Sequence, residues 1–211
     1  MKLVVLGANG GTGHLVVREA LTRGDRVTAI VRAHAKRPSI KHSQLTIAVG
    51  DPCDPKFLAT VFEGQDAVIS TLGGRRPTRL ATSVYWRSAD AIVEAAQTAN
   101  LRHVAVTSSA LLFPRKLLFD KCLATLVRPV LESATRMEET LGRTDLDVIV
   151  ARCGFLTNAD DARYRAEPGS LPLNGSSVSR LALARFLTDA VREPGSGTQI
   201  YGVAGPMPSV S

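Results

Sequence analysis

Apolar residues in this chain come in short runs separated by longer amphipathic stretches. Leu3 to Leu6, Val27 to Val31, Leu45 to Val49 and Ala67 to Thr71 are rich in Val and Ile and apolar on both faces. That is the pattern of parallel strands covered by helices on each side. Thr12 to Arg23, Lys56 to Phe62 and Thr82 to Ala99 read as the intervening helices. In the second half the pattern predicts strands at His103 to Thr107, Asp147 to Ala151 and Gln199 to Val203. It also predicts a helix ending near Gly142 and another from Ser179 to Arg192, with Ser179 as its N-cap. The alternation implies an α/β fold: a Rossmann-type doubly wound parallel sheet flanked by helices, as a single domain over residues 1–211. Leu156 to Ser177 has little periodicity and several Gly, Pro, Asn and Asp residues. Long irregular segments inside compact domains are often binding loops, so the stretch around 153–178 is expected to cover a substrate.

Composition narrows the class. With 211 residues, 45% hydrophobic and 21% charged, the chain can bury one α/β core and is not disordered. The net charge of +7 comes mostly from scattered Arg, with short clusters at Lys36-Arg37 and Arg75-Arg76. No nucleic-acid motif accompanies the charge, so the expected use of a basic cluster is a phosphorylated cofactor rather than nucleic acid. Cys53, Cys122 and Cys153 are odd in number and lack CxxC spacing, which indicates neither a disulfide framework nor a zinc site. They read as reduced thiols, and no metal is expected. The apolar start, Met1 to Leu6, is too short for a signal peptide or a membrane span, so the expectation is a cytoplasmic protein without a membrane partner.

The first strand leads directly into GANGGTG, with glycines at Gly7, Gly10 and Gly13. A glycine triplet between a strand and a helix suits a dinucleotide. Gly7 permits the sharp turn, Gly10 clears the approach of a pyrophosphate to the backbone, and Gly13 lets the helix pack on the sheet. The helix N-terminus then offers free N–H groups to phosphate. At the end of the second strand stands Arg32, where an acidic residue would select the ribose 2′-OH. A guanidinium there forks onto a 2′-phosphate, so the expected cofactor is NADP(H). Later strand ends bring Asp51 for the adenine amino group, Leu72-Gly73-Gly74 for close passage of the riboses, and Thr107-Ser108-Ser109 at the level of the nicotinamide.

These stretches, with Val31-Arg32, Val49-Gly50-Asp51, Gly64 to Ile69, Thr107 to Leu112 and Arg136-Met137, resemble the atypical short-chain dehydrogenase/reductases with a GxxGxxG loop. The likeness is to the NmrA-like group, and within it to the biliverdin reductase B or flavin reductase type, and it runs over nearly the whole chain. The resemblance implies cofactor contacts at Gly7, Asn9, Gly10, Thr12, Gly13, Arg32, Asp51, Leu72, Gly73 and Thr107. It places a serine beside nicotinamide and acceptor at Ser108, or at Ser109 if the loop is shifted by one. The acceptor-pocket histidines of that type would fall near Ala134 and Gly154, and the proline usual after Arg152 is Cys153. These departures argue against biliverdin itself.

Ordinary short-chain dehydrogenases use Tyr-x-x-x-Lys, in which the lysine lowers the tyrosine pKa. Here Tyr85, Tyr164 and Tyr201 are followed four residues later by Ala89, Pro168 and Gly205. Alcohol chemistry, and epimerase chemistry that needs the same pair, are therefore not expected. Hydride delivery to a planar conjugated acceptor such as a flavin, a quinone or a tetrapyrrole-like molecule makes less demand on an internal acid. Ser108 or Ser109 would orient the ring or acceptor, with Phe113 and Phe155 as apolar walls. Cys153 reads as a buried inert thiol. The rival expectation is an NADP-binding redox sensor without turnover. The partner in either case is a small molecule, and the chain is expected as a monomer or weak homodimer.

Overall fold

The computed structural model describes residues 1–33, 38–73, 78–114, 125–193 and 195–207. Lys36, Arg37, Gly74, Arg75, Arg76 and Cys122, all weighed above, lie outside the described residues.

The chain runs β1 (Lys2–Leu6), α1 (Gly11–Thr22), β2 (Arg26–Val31), β3 (Leu45–Val49), α2 (Pro55–Phe62), β4 (Ala67–Ser70), α3 (Arg79–Thr82), α4 (Val84–Ala99) and β5 (His103–Ser109). It continues with a 3₁₀ turn at Ala110–Leu112, then α5 (Arg128–Gly142), β6 (Asp147–Cys153), β7 (Phe155–Thr157), β8 (Arg165–Pro168), β9 (Ser177–Ser179), α6 (Arg180–Ala190) and β10 (Thr198–Ala204). One sheet has the order β3-β2-β1-β4-β5-β6-β10-β8. Every pair in it is parallel except β10 with β8. The strand order reverses between β1 and β4, and ligands of open α/β sheets bind in the crevice at that reversal.

β1 shows how the two-residue period makes a two-sided core. Leu3 and Val5 point to one face, where they meet Val16, Val17 and Ala20 of α1 and Leu183 and Leu187 of α6. Val4 and Leu6 point to the other, with Leu58, Phe62, Ile92, Met137 and Leu141 of α2, α4 and α5. These four side chains are fully buried. Burying each is worth about 1.5–3 kcal/mol, so this strand anchors everything that follows it.

Three expectations need correction. The stretch from Leu156 to Ser177 is not irregular: it contains β8, which adds antiparallel to β10, and parts of β7 and β9, which form a separate parallel ribbon. These strands are three or four residues long, too short to show a period. The expected helix from Thr82 to Ala99 is split, because Thr82 ends α3 and its hydroxyl sits 3.1 Å from the Pro129 carbonyl and 3.1 Å from the Ser133 hydroxyl. Strands β5 and β6 also run on, to Ser109 and Cys153.

Candidate functional site

The glycine turn is shaped by its own backbone. Gly7 has φ +80°, a conformation that favours glycine, and the Gly10 N–H donates to its carbonyl at 2.8 Å. A β-carbon on Gly13 would lie 2.2 Å from that carbonyl oxygen and 2.7 Å from Thr71 Oγ1, so only glycine lets α1 approach this closely. Gly10 differs: a β-carbon there would meet only the Gly7 oxygen, at 3.2 Å. Packing within the protein asks for a glycine there less strongly than at Gly13, and space kept for a ligand would add to that demand.

The helix behind the turn is electrostatically open. Asp54 and Ser179 cap α2 and α6 with side-chain oxygens, but α1 begins at Gly10 with no side-chain cap and no acidic residue in its first turn. Its leading N–H groups and the positive end of its dipole thus face the crevice. Thr12 is buried, Asn9 exposed at the tip. These residues fit the phosphates of a dinucleotide.

At the β2 and β3 side, Arg32 is exposed immediately after its strand. Asp51 accepts from the Cys53 N–H at 2.9 Å, which shapes the turn into α2. Burial and the Asp51 carboxylate push the Cys53 thiol up to about 11, against the opposing pull of Arg87 and Arg32. Arg87, from α4, therefore belongs to the same corner as Arg32 and was not foreseen. Sequence offers no signal for it, since it arrives from α4, five elements after β2.

At the switch point Leu72 packs on the core and Gly73 is exposed. A β-carbon on Gly73 would lie 3.3 Å from the hydroxyl of Tyr85, so this tyrosine of α4 reaches the crevice. Burial pushes Tyr85 up to about 12, opposite to what a tyrosine base requires. Residue Ala89, one turn on, is buried and apolar.

Beyond it stands a buried polar group that the sequence reading missed in part. Thr107 is half-buried, whereas Ser108 is buried and donates to Glu138 Oε1 at 2.5 Å. Glu138 is clamped in turn by Arg152, with Nε at 3.1 Å and Nη2 at 2.6 Å. The Arg152 guanidinium lies 4.8 Å from the centroid of the Phe113 ring. Ser108, Glu138, Arg152 and Phe113 thus form one line from β5, α5, β6 and the end of the 3₁₀ turn. Ser109 is used differently: its hydroxyl accepts from the Leu111 N–H at 3.3 Å and starts that turn.

Cys153 is buried and donates to the Ser108 carbonyl at 3.4 Å. Burial drives its thiol up to about 12, against partial opposition from Arg180, which makes it an inert packing residue. Phe155, on β7, is 58% exposed. Arg180 opens α6 and lies over the glycine turn, donating to Asn158 Oδ1 at 2.7 Å. Among the described residues no His, Cys, Asp or Glu cluster could hold a metal, and no helix is long and apolar enough to cross a membrane. A cavity of about 530 Å³ lined by Lys2, Arg26, Gln44 and Glu63 lies at the opposite ends of the strands and includes none of these groups.

The described geometry can be set beside known proteins. The chain is 36% identical over 111 residues to the photosystem II assembly factor Ycf39 of Trieres chinensis, covering 52% of this chain and 34% of that protein. It is 29% identical over 160 residues to Ycf39 of Synechocystis sp., covering 74% and 45%. The chain thus spans less than half the length of these curated relatives. Among solved structures, an oxidoreductase from Lactococcus lactis matches with a TM-score of 0.82 at 18% identity, over 98% of this chain and 91% of that one. A wide-type short-chain dehydrogenase/reductase from Veillonella parvula, solved with NADP, matches with a TM-score of 0.79 at 20% identity, over 99% and 98%. These two likenesses establish the fold. The family model described as NAD(P)H-binding matches residues 7–194, from the first glycine of the turn to just beyond α6, and the chain belongs to that family.

Proposed function

We propose that the chain is an NADPH-dependent reductase for a planar conjugated acceptor, with a flavin or quinone fitting better than a tetrapyrrole. Bound NADPH supplies the hydride. The first-turn N–H groups of α1, with Gly7, Asn9, Gly10, Thr12 and Gly13, hold the phosphates. Arg32 takes the 2′-phosphate, Asp51 the adenine, and Leu72, Gly73 and Thr107 border the riboses and nicotinamide.

The observation that carries this reading is the state of two hydroxyls at this end of the crevice, those of Ser108 and Tyr85. The Ser108 hydroxyl donates its hydrogen bond to Glu138, which leaves its oxygen to accept, able to orient an amide N–H, with its one hydrogen already committed to a carboxylate. Tyr85 is held protonated by burial, and no cation among the described residues lowers it. Neither acts as a base near neutral pH, which favours acceptors that draw their proton from water. Phe113 and Phe155 supply apolar surface for a flat ring.

The test is the loss of reduced-nicotinamide absorbance with FMN, riboflavin, menadione and anthraquinones in turn, alongside fluorescence titration of NADPH. Turnover with a planar acceptor is expected. The relatives named as assembly factors favour a second reading, an NADP-binding sensor that works without turnover. Tight NADPH binding with no turnover on any acceptor selects it.

A further inference from the structure

We propose that Arg180 is an anchoring residue for the pyrophosphate bridge of the cofactor, placed there by the substrate-side loop rather than by the glycine turn. The inference rests on the reading of the crevice as a dinucleotide site.

GANGGTG carries a glycine, Gly11, that the GxxGxxG spacing does not use. The structure supplies its reason. A β-carbon on Gly11 would lie 2.9 Å from Cδ and 3.0 Å from Nε of Arg180, with the guanidinium carbon at 4.0 Å. The arginine stem therefore crosses the first turn of α1 in the space that Gly11 leaves open. Its Nη1 is steadied by Asn158 Oδ1 at 2.7 Å and stands 3.4 Å from the Leu156 carbonyl, both neutral acceptors. A full positive charge is thus held against the uncapped, partially positive end of a helix. Two like charges brought together with only neutral acceptors favour an anion between them, and the pyrophosphate of the dinucleotide is the anion this turn receives. Because Leu156 lies on β7 and Asn158 directly after it, in the segment that follows β6, Arg180 links that segment to cofactor occupancy.

Fluorescence titrations of NADPH and NADH on the wild type, Arg180→Met, Arg180→Lys, Gly11→Ala and the Gly11→Ala/Arg180→Met pair test this. Arg180→Met is expected to weaken both cofactors by the same factor, roughly 10- to 100-fold, leaving their ratio unchanged. Arg180→Lys keeps the charge without the fork and falls between. Gly11→Ala displaces the arginine stem and weakens binding several-fold, about 3-fold or more, but adds nothing in the Arg180→Met background. Inorganic pyrophosphate competes with NADPH on the wild type and loses that competition in Arg180→Met. Unchanged affinity in Arg180→Met, with a thermal midpoint like the wild type, overturns the assignment while the dinucleotide site stands. A shift in the NADPH to NADH ratio alone moves Arg180 to the 2′-phosphate and also overturns it. A wild type that binds neither cofactor removes the site and this role with it.

Discussion

On the β1 side of the crevice the groups left open belong to the backbone, whereas on the β5 side the polar groups are side chains drawn from several elements. The turn from Gly7 to Gly13 is contiguous, and its chemistry is the absence of side chains next to a helix end. The Ser108, Glu138 and Arg152 group is assembled across 30 and 14 residues, and its chemistry is a buried charge pair with one hydroxyl attached. Backbone sites fail by crowding. Side-chain sites fail by leaving a charge without its partner.

The largest expected effect tests the second half of that contrast. Glu138→Ala leaves Arg152 buried without its carboxylate, and urea denaturation should show a loss of about 3–5 kcal/mol. The Glu138→Leu/Arg152→Met pair, apolar and of similar volume, should recover most of that loss because it leaves no stranded charge. If the double variant is as unstable as the single, the pair is not the source of the cost.

Next comes Gly13→Ala, whose methyl would strike the Gly7 backbone. Overpacking of this kind should cost about 1–3 kcal/mol in the same assay, whereas Gly10→Ala should cost well under about 1 kcal/mol and be felt in NADPH titration instead. Equal stability losses at the two glycines would erase the distinction between packing and ligand clearance.

Smaller again is Arg32→Glu. Replacing an exposed cation by an anion should shift the NADPH to NADH affinity ratio toward NADH by roughly tenfold or more, without moving the denaturation midpoint much. An unchanged ratio assigns the preference to Arg87 or to the residues following Arg32.

The least effect, nil at neutral pH, concerns Cys153. Its folded thiol stays protonated up to about 12, while the unfolded thiol titrates near its ordinary value of 9. Below pH 9 both states hold the proton and pH has no influence. Between 9 and about 12 the unfolded chain releases it first, so stability falls as pH rises. Tyr85 adds a fall in the same direction between its ordinary 10 and about 12. Cys53, raised to about 11, adds the same fall from 9 upward, so Cys153→Ala should lessen the slope between 9 and 10 and the Cys53→Ala/Cys153→Ala pair should remove more of it, read from denaturation midpoints across that range.

The same contrast explains what the sequence disclosed. The strands from β1 to β6 were legible because buried parallel strands are continuous apolar runs, and the turn because three glycines sit between a strand and a helix. Ser108 was legible as a hydroxyl at a strand end, but its donor role depends on Glu138, one turn from the end of α5 and indistinguishable in sequence from a solvated helix residue. Arg152 likewise reads as one basic residue among many until Phe113 and Glu138 are seen against it. The strands β7, β8 and β9 escaped notice because their pairing is fixed by partners distant in the chain, Tyr201 to Ala204 for β8 and each other for β7 and β9, rather than by local alternation.

β8 also governs how the folded chain meets its neighbours at high concentration. It closes one border of the sheet with Arg165, Glu167 and Pro168, so an incoming strand would face charge and a residue with no N–H to offer. The other border is β3, Leu45–Val49, which is apolar, free of proline and paired on one side only. Fibrillar or amorphous growth during concentrated refolding would therefore propagate from β3, and a lysine at Thr46 is where a crystallographer should place a guard.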